Sequence, residues 1–211
     1  MLKCIAVYGG TFDPVHLGHV NTAKALELHL HFDEIRFLPC KQPVLKNAAT
    51  ASSHHRLAML ELALANFPKA IIDDREIKRE GLSYMIDTLE SMRTDSPEAS
   101  LCLVVGMDAF NDLPRWHQWQ ALFDFAHIIV INRPGISLLA DPILEKTIAT
   151  RQTMSIDALQ TKSHGQLYFQ QLPETPISST EIRQRLQQGK SVASMLAVKV
   201  SDYIRIQQLY R

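Results

Sequence analysis

Tyr8-Gly9-Gly10-Thr11-Phe12-Asp13-Pro14-Val15-His16-Leu17-Gly18-His19 decides the reading of this chain. It follows Cys4-Ile5-Ala6-Val7, a short apolar run that reads as a buried strand. It precedes Val20 to Leu30, which reads as a helix with Ala23, Leu26 and Leu30 on one face. A turn between a strand and a helix lies at the carboxyl end of a strand, where open α/β sheets bind ligands. Gly9 and Gly10 lack a Cβ and can adopt positive φ, so a phosphate can lie against the backbone. Pro14 stiffens the turn. His16 and His19 are three apart, a spacing that aims both rings at one ligand above a helix beginning near Leu17. The N–H groups and positive dipole end at such a start form an anion site, and Gly18 is expected to leave room for the phosphate. The stretch lacks the Gly-Lys-Ser/Thr of a P-loop and the GxGxxG of dinucleotide binders.

Outward from this stretch, strands alternate with helices. Glu34 to Pro39 reads as a second strand. A loop from Cys40 to Ser52 follows, and its Lys41 and Lys46 are either solvated or turned toward phosphates. His54 to Phe67 has helical spacing and stops at Pro68. Ala70-Ile71-Ile72 is a short strand, Arg75 to Gly81 a charged connection, and Ser83 to Arg93 a helix. Leu101 to Gly106 and His127 to Ile131 are continuous apolar runs, as expected of strands buried on both faces. A short helix is expected over Trp116 to Phe123. The signal from Ile136 to Gly165 is poor, with a weak helical pattern over Thr150 to Leu159. Leu167 to Leu172 reads as a strand and Ser178 to Gln188 as a helix with Gly189 at its end; Ser178 and Glu181 fit a capping box. A last helix is expected over Ser201 to Tyr210. The alternation predicts a doubly wound parallel α/β sheet in one domain, residues 1–211, with a small helical part from about residue 173.

Composition narrows the function classes. The chain has 211 residues, 46% hydrophobic and 21% charged, ordinary for a globular protein. A formal net charge of zero argues against nucleic-acid binding by phosphate neutralisation. No apolar run reaches the roughly 18 residues of a membrane span. The start is too short in apolar residues for a signal peptide. Cys4, Cys40 and Cys102 have no zinc spacing; Cys4 and Cys102 fall in strand patterns and read as buried thiols, which fits the cytoplasm.

The opening stretch resembles the signature of the nucleotidyltransferase superfamily that carries a T/HxGH motif. In that superfamily the motif binds a nucleoside triphosphate and its histidines contact phosphates. Four later stretches resemble one branch, the bacterial nicotinate-nucleotide adenylyltransferases: Gly81 to Leu89, Gly106-Met107-Asp108-Ala109 with Leu113-Pro114-Arg115-Trp116, Asn132-Arg133-Pro134-Gly135, and Ile177-Ser178-Ser179-Thr180-Glu181-Ile182-Arg183. The last is similar to the superfamily's ISSTxIR signature and marks a second helix start fit for an anion. Two departures stand out. The branch's loop histidine is missing before Lys46, and Met85 replaces a usual threonine, so only a backbone contact carries over there.

The resemblance implies a Rossmann-like nucleotidyltransferase fold and adenylyl transfer from ATP to nicotinate mononucleotide in NAD biosynthesis, with Mg²⁺ bridging ATP oxygens. His16 and His19 are the implied catalytic residues. Gly9, Gly10, Thr11, Phe12, Gly18, Lys46, Ser178, Ser179, Thr180 and Arg183 are implied on ATP and its phosphates. Ser83, Tyr84, Met85, Gly106, Asp108 and Trp116 are implied around the pyridine nucleotide. No protein cage for a metal is expected. Backbone N–H groups at the pyridine end would favour a carboxylate over a carboxamide, which presents donors of its own. Two alternatives stay open: a sister transferase with another phosphate acceptor such as phosphopantetheine, or a catalytically silent nucleotide-binding module. Neither oligomeric state nor the role of residues 136–165 is readable from the sequence.

Overall fold

Alternate residues of the first strand are apolar on both sides, and the fold covers both. In the computed structural model, which describes residues 1–41 and 48–211, Ile5 and Val7 face one core while Cys4 and Ala6 face the other. The strands are β1 (Cys4–Gly10), β2 (Glu34–Pro39), β3 (Ala70–Ile72), β4 (Ser100–Gly106), β5 (His127–Ile131) and β6 (Leu167–Gln170). They form one parallel sheet in the order β3-β2-β1-β4-β5-β6. This is the doubly wound α/β arrangement, with the order reversing between β1 and β4.

The helices are α1 (Leu17–Leu30), α2 (Ser53–Leu64), α3 (Arg75–Lys78), α4 (Met85–Asp95), α5 (Met107–Asn111), α6 (Leu122–Phe125), α7 (Pro142–Arg151), α8 (Ile156–Thr161), α9 (Ser179–Gln187) and α10 (Val198–Ile206). On one face of the sheet, Val20, Ala23 and Leu26 of α1, Met59 and Leu60 of α2, Ile182 of α9 and Val200 and Ile204 of α10 share a core with Ala6, Phe37 and Val104. On the other, Ile86, Leu89 and Met92 of α4, Phe110 of α5 and Phe123 of α6 pack on Val7, Leu103, Val105 and Val130. No helix among the described residues is long and apolar enough to cross a membrane.

Several boundaries differ from the sequence pattern. The poor region from residue 136 contains two helices. Asp141 caps α7 by accepting from the N–H groups of Ile143 and Leu144, with Pro142 in the first turn. The weak helix over 150–159 is divided because the Thr153 N–H donates to the Leu167 carbonyl at 2.9 Å, and α8 begins only at Ile156. The helix expected over Trp116 to Phe123 is broken by Gln118, whose φ of 49° is left-handed; a 3₁₀ turn at Trp119–Ala121 and then α6 follow. The last helix begins at Val198 and ends at Ile206. Ser178 caps α9 by accepting from Glu181 N–H at 3.2 Å, but the Glu181 carboxylate turns to Arg185, so the return half of a capping box is absent. Cys4 and Cys102 are free and buried, as their strand positions imply.

Candidate active site

The pairing register opens the site. β1 and β4 pair from Cys4↔Ser100 up to Tyr8↔Val104. Beyond that point Gly9 and Gly10 continue alongside Leu38 and Pro39 of β2, while Val105 and Gly106 continue alongside Val130 and Ile131 of β5. A crevice therefore opens between the two glycine-ended strands. The helix starts and loops that carry the sequence motifs gather around it.

Gly9 and Gly10 lie in β1, and neither has positive φ. Their role is steric. A Cβ on Gly10 would sit 2.9 Å from the Phe12 ring, and one on Gly9 would sit 3.3 Å from Met85 Cε. Phe12 itself takes φ 50°, a strained region for a bulky residue, costing on the order of 1–3 kcal/mol. Burying its ring, which is 2% exposed, offsets that cost. The ring lies against His19 with centroids 5.0 Å apart. Phe12 thus supports His19 from the core, and only its backbone is left to meet a phosphate.

His16 is the N-cap of α1, and its ring stacks on that of His19 with centroids 3.7 Å apart. The His16 N–H donates to His19 Nδ1 at 3.3 Å, which puts the proton of neutral His19 on Nε2. His16 is 7% exposed; its side chain faces the His19 N–H in a capping-box arrangement, but its buried Nδ1 reaches no partner at hydrogen-bond distance and angle among the described residues. Burial first, then the Arg133 charge, push its pKa down to about 4, so the ring is neutral at pH 7. A Cβ on Gly18 would come within 2.8 Å of His16 Nδ1. Gly18 therefore makes room for the His16 ring.

The second motif is clasped onto the first. Ser179 Oγ donates to the Pro14 carbonyl at 2.9 Å, and Arg183 Nη1 donates to the Asp13 carbonyl at 2.7 Å. Thr180 Oγ1 accepts from Arg183 Nη2 at 3.4 Å. Ser179 spends its hydroxyl proton on this clasp, so only its backbone N–H can serve a phosphate. Asp13, not singled out from the sequence, is the hub. Its carboxylate is buried and accepts from the N–H groups of Thr50 and Ala51 at 2.6 and 3.0 Å and from the Tyr210 hydroxyl at 2.7 Å. Burial, then the hydrogen bond to Asp13, raise the Tyr210 pKa strongly, so the phenol stays protonated. One side chain thus ties the signature loop to the approach to α2 and to the residues after α10.

Across the crevice lie the other expected residues. α4 begins at Met85, with Tyr84 as N-cap, so Ser83 stands just before the helix; its Oγ accepts from Lys41 N–H at 3.2 Å. Lys41 Nζ donates to the Arg79 carbonyl at 2.9 Å. The Tyr84 ring lies 4.5 Å from that of His117, which the sequence reading passed over. Trp116 and Met85 pack against the second core. Asp108 accepts from Arg133 Nη1 at 2.9 Å, and a Cβ on Gly106 would strike Asp108 Oδ1 at 2.6 Å. Arg133 stood in a recognised stretch but not among the expected site residues; the field it exerts on His16 marks it as part of the surroundings. Lys46 lies outside the described residues. The start of α4 thus comes close to the end of β1, where a Cβ on Gly9 would meet Met85 Cε.

The chain has full-length relatives and a fold shared with solved structures. A probable nicotinate-nucleotide adenylyltransferase of Pseudoalteromonas atlantica is 41% identical over 207 residues, covering 98% of this chain and 94% of its own. One from Legionella pneumophila (strain Paris) is 40% identical over 211 residues, covering 100% of both. Among solved structures, the Plasmodium falciparum nicotinic acid mononucleotide adenylyltransferase complexed with NaAD superposes with a TM-score of 0.78 at 21% identity, over 99% of this chain and 97% of that one, a likeness of fold. The cytidylyltransferase-like family matches residues 7–185, a span that runs from the signature through Arg183. By that match and by its full-length relatives, the chain belongs to the cytidylyltransferase-like family.

Proposed function

We infer that this chain transfers the adenylyl group of ATP to nicotinate mononucleotide, forming nicotinate adenine dinucleotide and pyrophosphate in NAD biosynthesis. The observation that carries the reading is the stacked His16–His19 pair at the start of α1, beside the end of β1 where the sheet parts from β4. Full-length relatives named for that activity support it. The mononucleotide's phosphate oxygen attacks the α-phosphorus of ATP, and the bond to the bridging oxygen of pyrophosphate breaks. The attacking phosphate is already ionised at neutral pH, so the protein need not supply a strong base; it positions the reactants and stabilises charge. His16 is neutral and His19 is set in one tautomer, so both act as oriented hydrogen-bond donors rather than as proton shuttles. Arg183 and the N–H groups at the starts of α1 and α9 hold the triphosphate.

The donor set suits phosphate oxygens. No cluster of three or more His, Cys, Asp or Glu side chains is placed to hold a metal among the described residues. A Mg²⁺ brought in with the nucleotide would supply charge neutralisation at the leaving pyrophosphate. The whole chain acts as one domain, since α9 and α10 share a core with α1 and α2. The reading places it in the cytoplasm, with ATP and the mononucleotide as partners and no nucleic acid or membrane. Pyrophosphate release with ATP and a panel of acceptors tests it. Turnover is expected with nicotinate mononucleotide; turnover with phosphopantetheine alone, or none with any acceptor, would overturn it.

A further inference from the structure

Arg56, on α2, is 1% exposed. Arginine is almost never buried this fully without a charged partner. Yet no carboxylate among the described residues comes within 4.0 Å of its guanidinium. Its partners are neutral oxygens. Nη1 donates to the carbonyls of Thr11 and Cys40, both at 2.8 Å. Nη2 donates to Ser53 Oγ at 3.0 Å and reaches the Lys41 carbonyl at 3.5 Å. Thr11 follows β1 and Cys40 follows β2, and the Cys40 N–H also donates to the Gly10 carbonyl at 3.0 Å. The guanidinium therefore spans the two chain segments that leave the sheet beside the crevice.

The planar fork fixes more than a distance. In a trans peptide the C=O and N–H point in opposite directions. Drawing the Thr11 carbonyl onto Arg56 turns the Phe12 N–H away from the guanidinium. Drawing the Cys40 carbonyl onto it turns the Lys41 N–H the opposite way, and that N–H is the one donated to Ser83. One buried side chain thus orients two peptide planes, one after β1 and one after β2, on the same flank of the crevice. Its charge, unopposed by a contacting carboxylate, stays behind the phosphate site.

We propose that Arg56 is a positioning residue of the nucleotide-phosphate site: it holds the Thr11 and Cys40 carbonyls so that the Thr11–Phe12 peptide presents its N–H to the triphosphate. This rests on the adenylyl-transfer reading above. The test compares Arg56→Met, which keeps volume and loses the fork and the charge, with Arg56→Lys, which keeps the charge alone. Each is measured for kcat, for KM of both substrates, for calorimetric binding of a non-hydrolysable ATP analogue, and for Tm. Arg56→Met is expected to lower kcat by ~10²-fold and to weaken the ATP analogue about 10-fold, with KM for nicotinate mononucleotide within about 3-fold of wild type. Arg56→Lys should recover much of the analogue's affinity and little of kcat, since an ammonium cannot orient two carbonyls as a fork does. If Arg56→Met does not fold, Arg56→Lys and Ser53→Ala carry the test, the latter lowering kcat a few-fold at unchanged Tm. A fall in Tm with kcat and analogue affinity of the folded protein unchanged, or equal loss for both substrates, overturns the proposal. Should wild type bind the analogue but transfer nothing to nicotinate mononucleotide, the functional reading fails, and Arg56 is judged by analogue affinity: weakened in Arg56→Met supports it, unchanged overturns it.

Discussion

At the carboxyl edge of the sheet the fold buries Arg56 and His16; at the amino edge it buries His127 and holds Arg93. Arg93 donates to five carbonyls, those of Ser96, Pro97, Ala99, Phe125 and Ser163, which gather the entries to β4, β5 and β6. His127 has both ring nitrogens engaged, Nε2 with the Lys162 carbonyl at 2.9 Å and Nδ1 accepting from Gln166 N–H at 3.0 Å. His16 has a buried Nδ1 with no partner, a state that costs roughly 1–3 kcal/mol. The same residue types thus close the polar accounting of the histidine at one edge and leave it open at the other. An unsatisfied buried group that persists calls for an explanation; the Nε atoms of Arg56 and Arg93 share that state, so the contrast between the edges lies in their histidines alone. The amino edge ties strand entries together, and the carboxyl edge carries the proposed site.

Five predictions break or sharpen this contrast. His19→Ala removes an oriented donor at the carboxyl edge and should lower kcat by ~10²–10³ with a small change in KM for ATP. A folded variant keeping more than about half of wild-type kcat would make His19 structural, contrary to that estimate. Arg93→Ala at the opposite edge should cost roughly 3 kcal/mol of stability by leaving carbonyls unpaired, with kcat per folded molecule unchanged. Urea titration beside active-fraction kinetics separates the two, and a kinetic defect would dissolve the contrast. Arg183→Ala should weaken ATP by about tenfold or more while leaving the mononucleotide's affinity alone, since Arg183 lies on the clasp of the signature loop. Calorimetric titration of each substrate decides, and loss for the mononucleotide alone would reassign the residue.

The fourth prediction concerns acid. Burial lowers the pKa of both His16 and His127 to about 4, against 6.5 for the free group. The unfolded chain therefore binds more protons between those values. The stability contributed by each neutral ring is whole above pH 6.5 and is lost as pH falls toward 4. Each ring should give up roughly 2 kcal/mol between pH 7 and 5. His127→Gln should flatten the dependence of Tm on pH over that range without moving the pH profile of kcat; an unchanged slope would show that His127 does not report it. The smallest effect is expected from Trp116→Ala. It should weaken nicotinate and nicotinamide mononucleotides by a similar factor, about 10-fold or less, since an aromatic contact is indifferent to acid or amide. A ratio of kcat/KM values that collapses in the variant would move acid selectivity from the backbone to Trp116.

Much of this molecule was legible in its sequence because the signals are local. Alternating apolar runs and helical spacing depend on a residue's near neighbours, and they foretold all six strands and their parallel winding. The His16-Leu17-Gly18-His19 stretch likewise announced a helix start near Leu17. The Asp141-Pro142 start of α7 was also there to be read, since a capping side chain followed by proline is itself a local signal. What stayed hidden depends on groups far apart along the chain. Tyr210 reaches Asp13 across 197 positions, and Arg183 reaches it across 170. Nothing local marks Arg56, which is buried only because the segments after β1 and β2 close over it. Sequence alone established the alternation, the motifs and the class of chemistry. Tertiary structure decided that Phe12, not Gly9 or Gly10, takes the left-handed turn, that Gly18 yields to His16, and that Ser179 clasps Pro14. Steric fit and hydrogen-bond satisfaction are settled only once distant segments pack and water is excluded from between them.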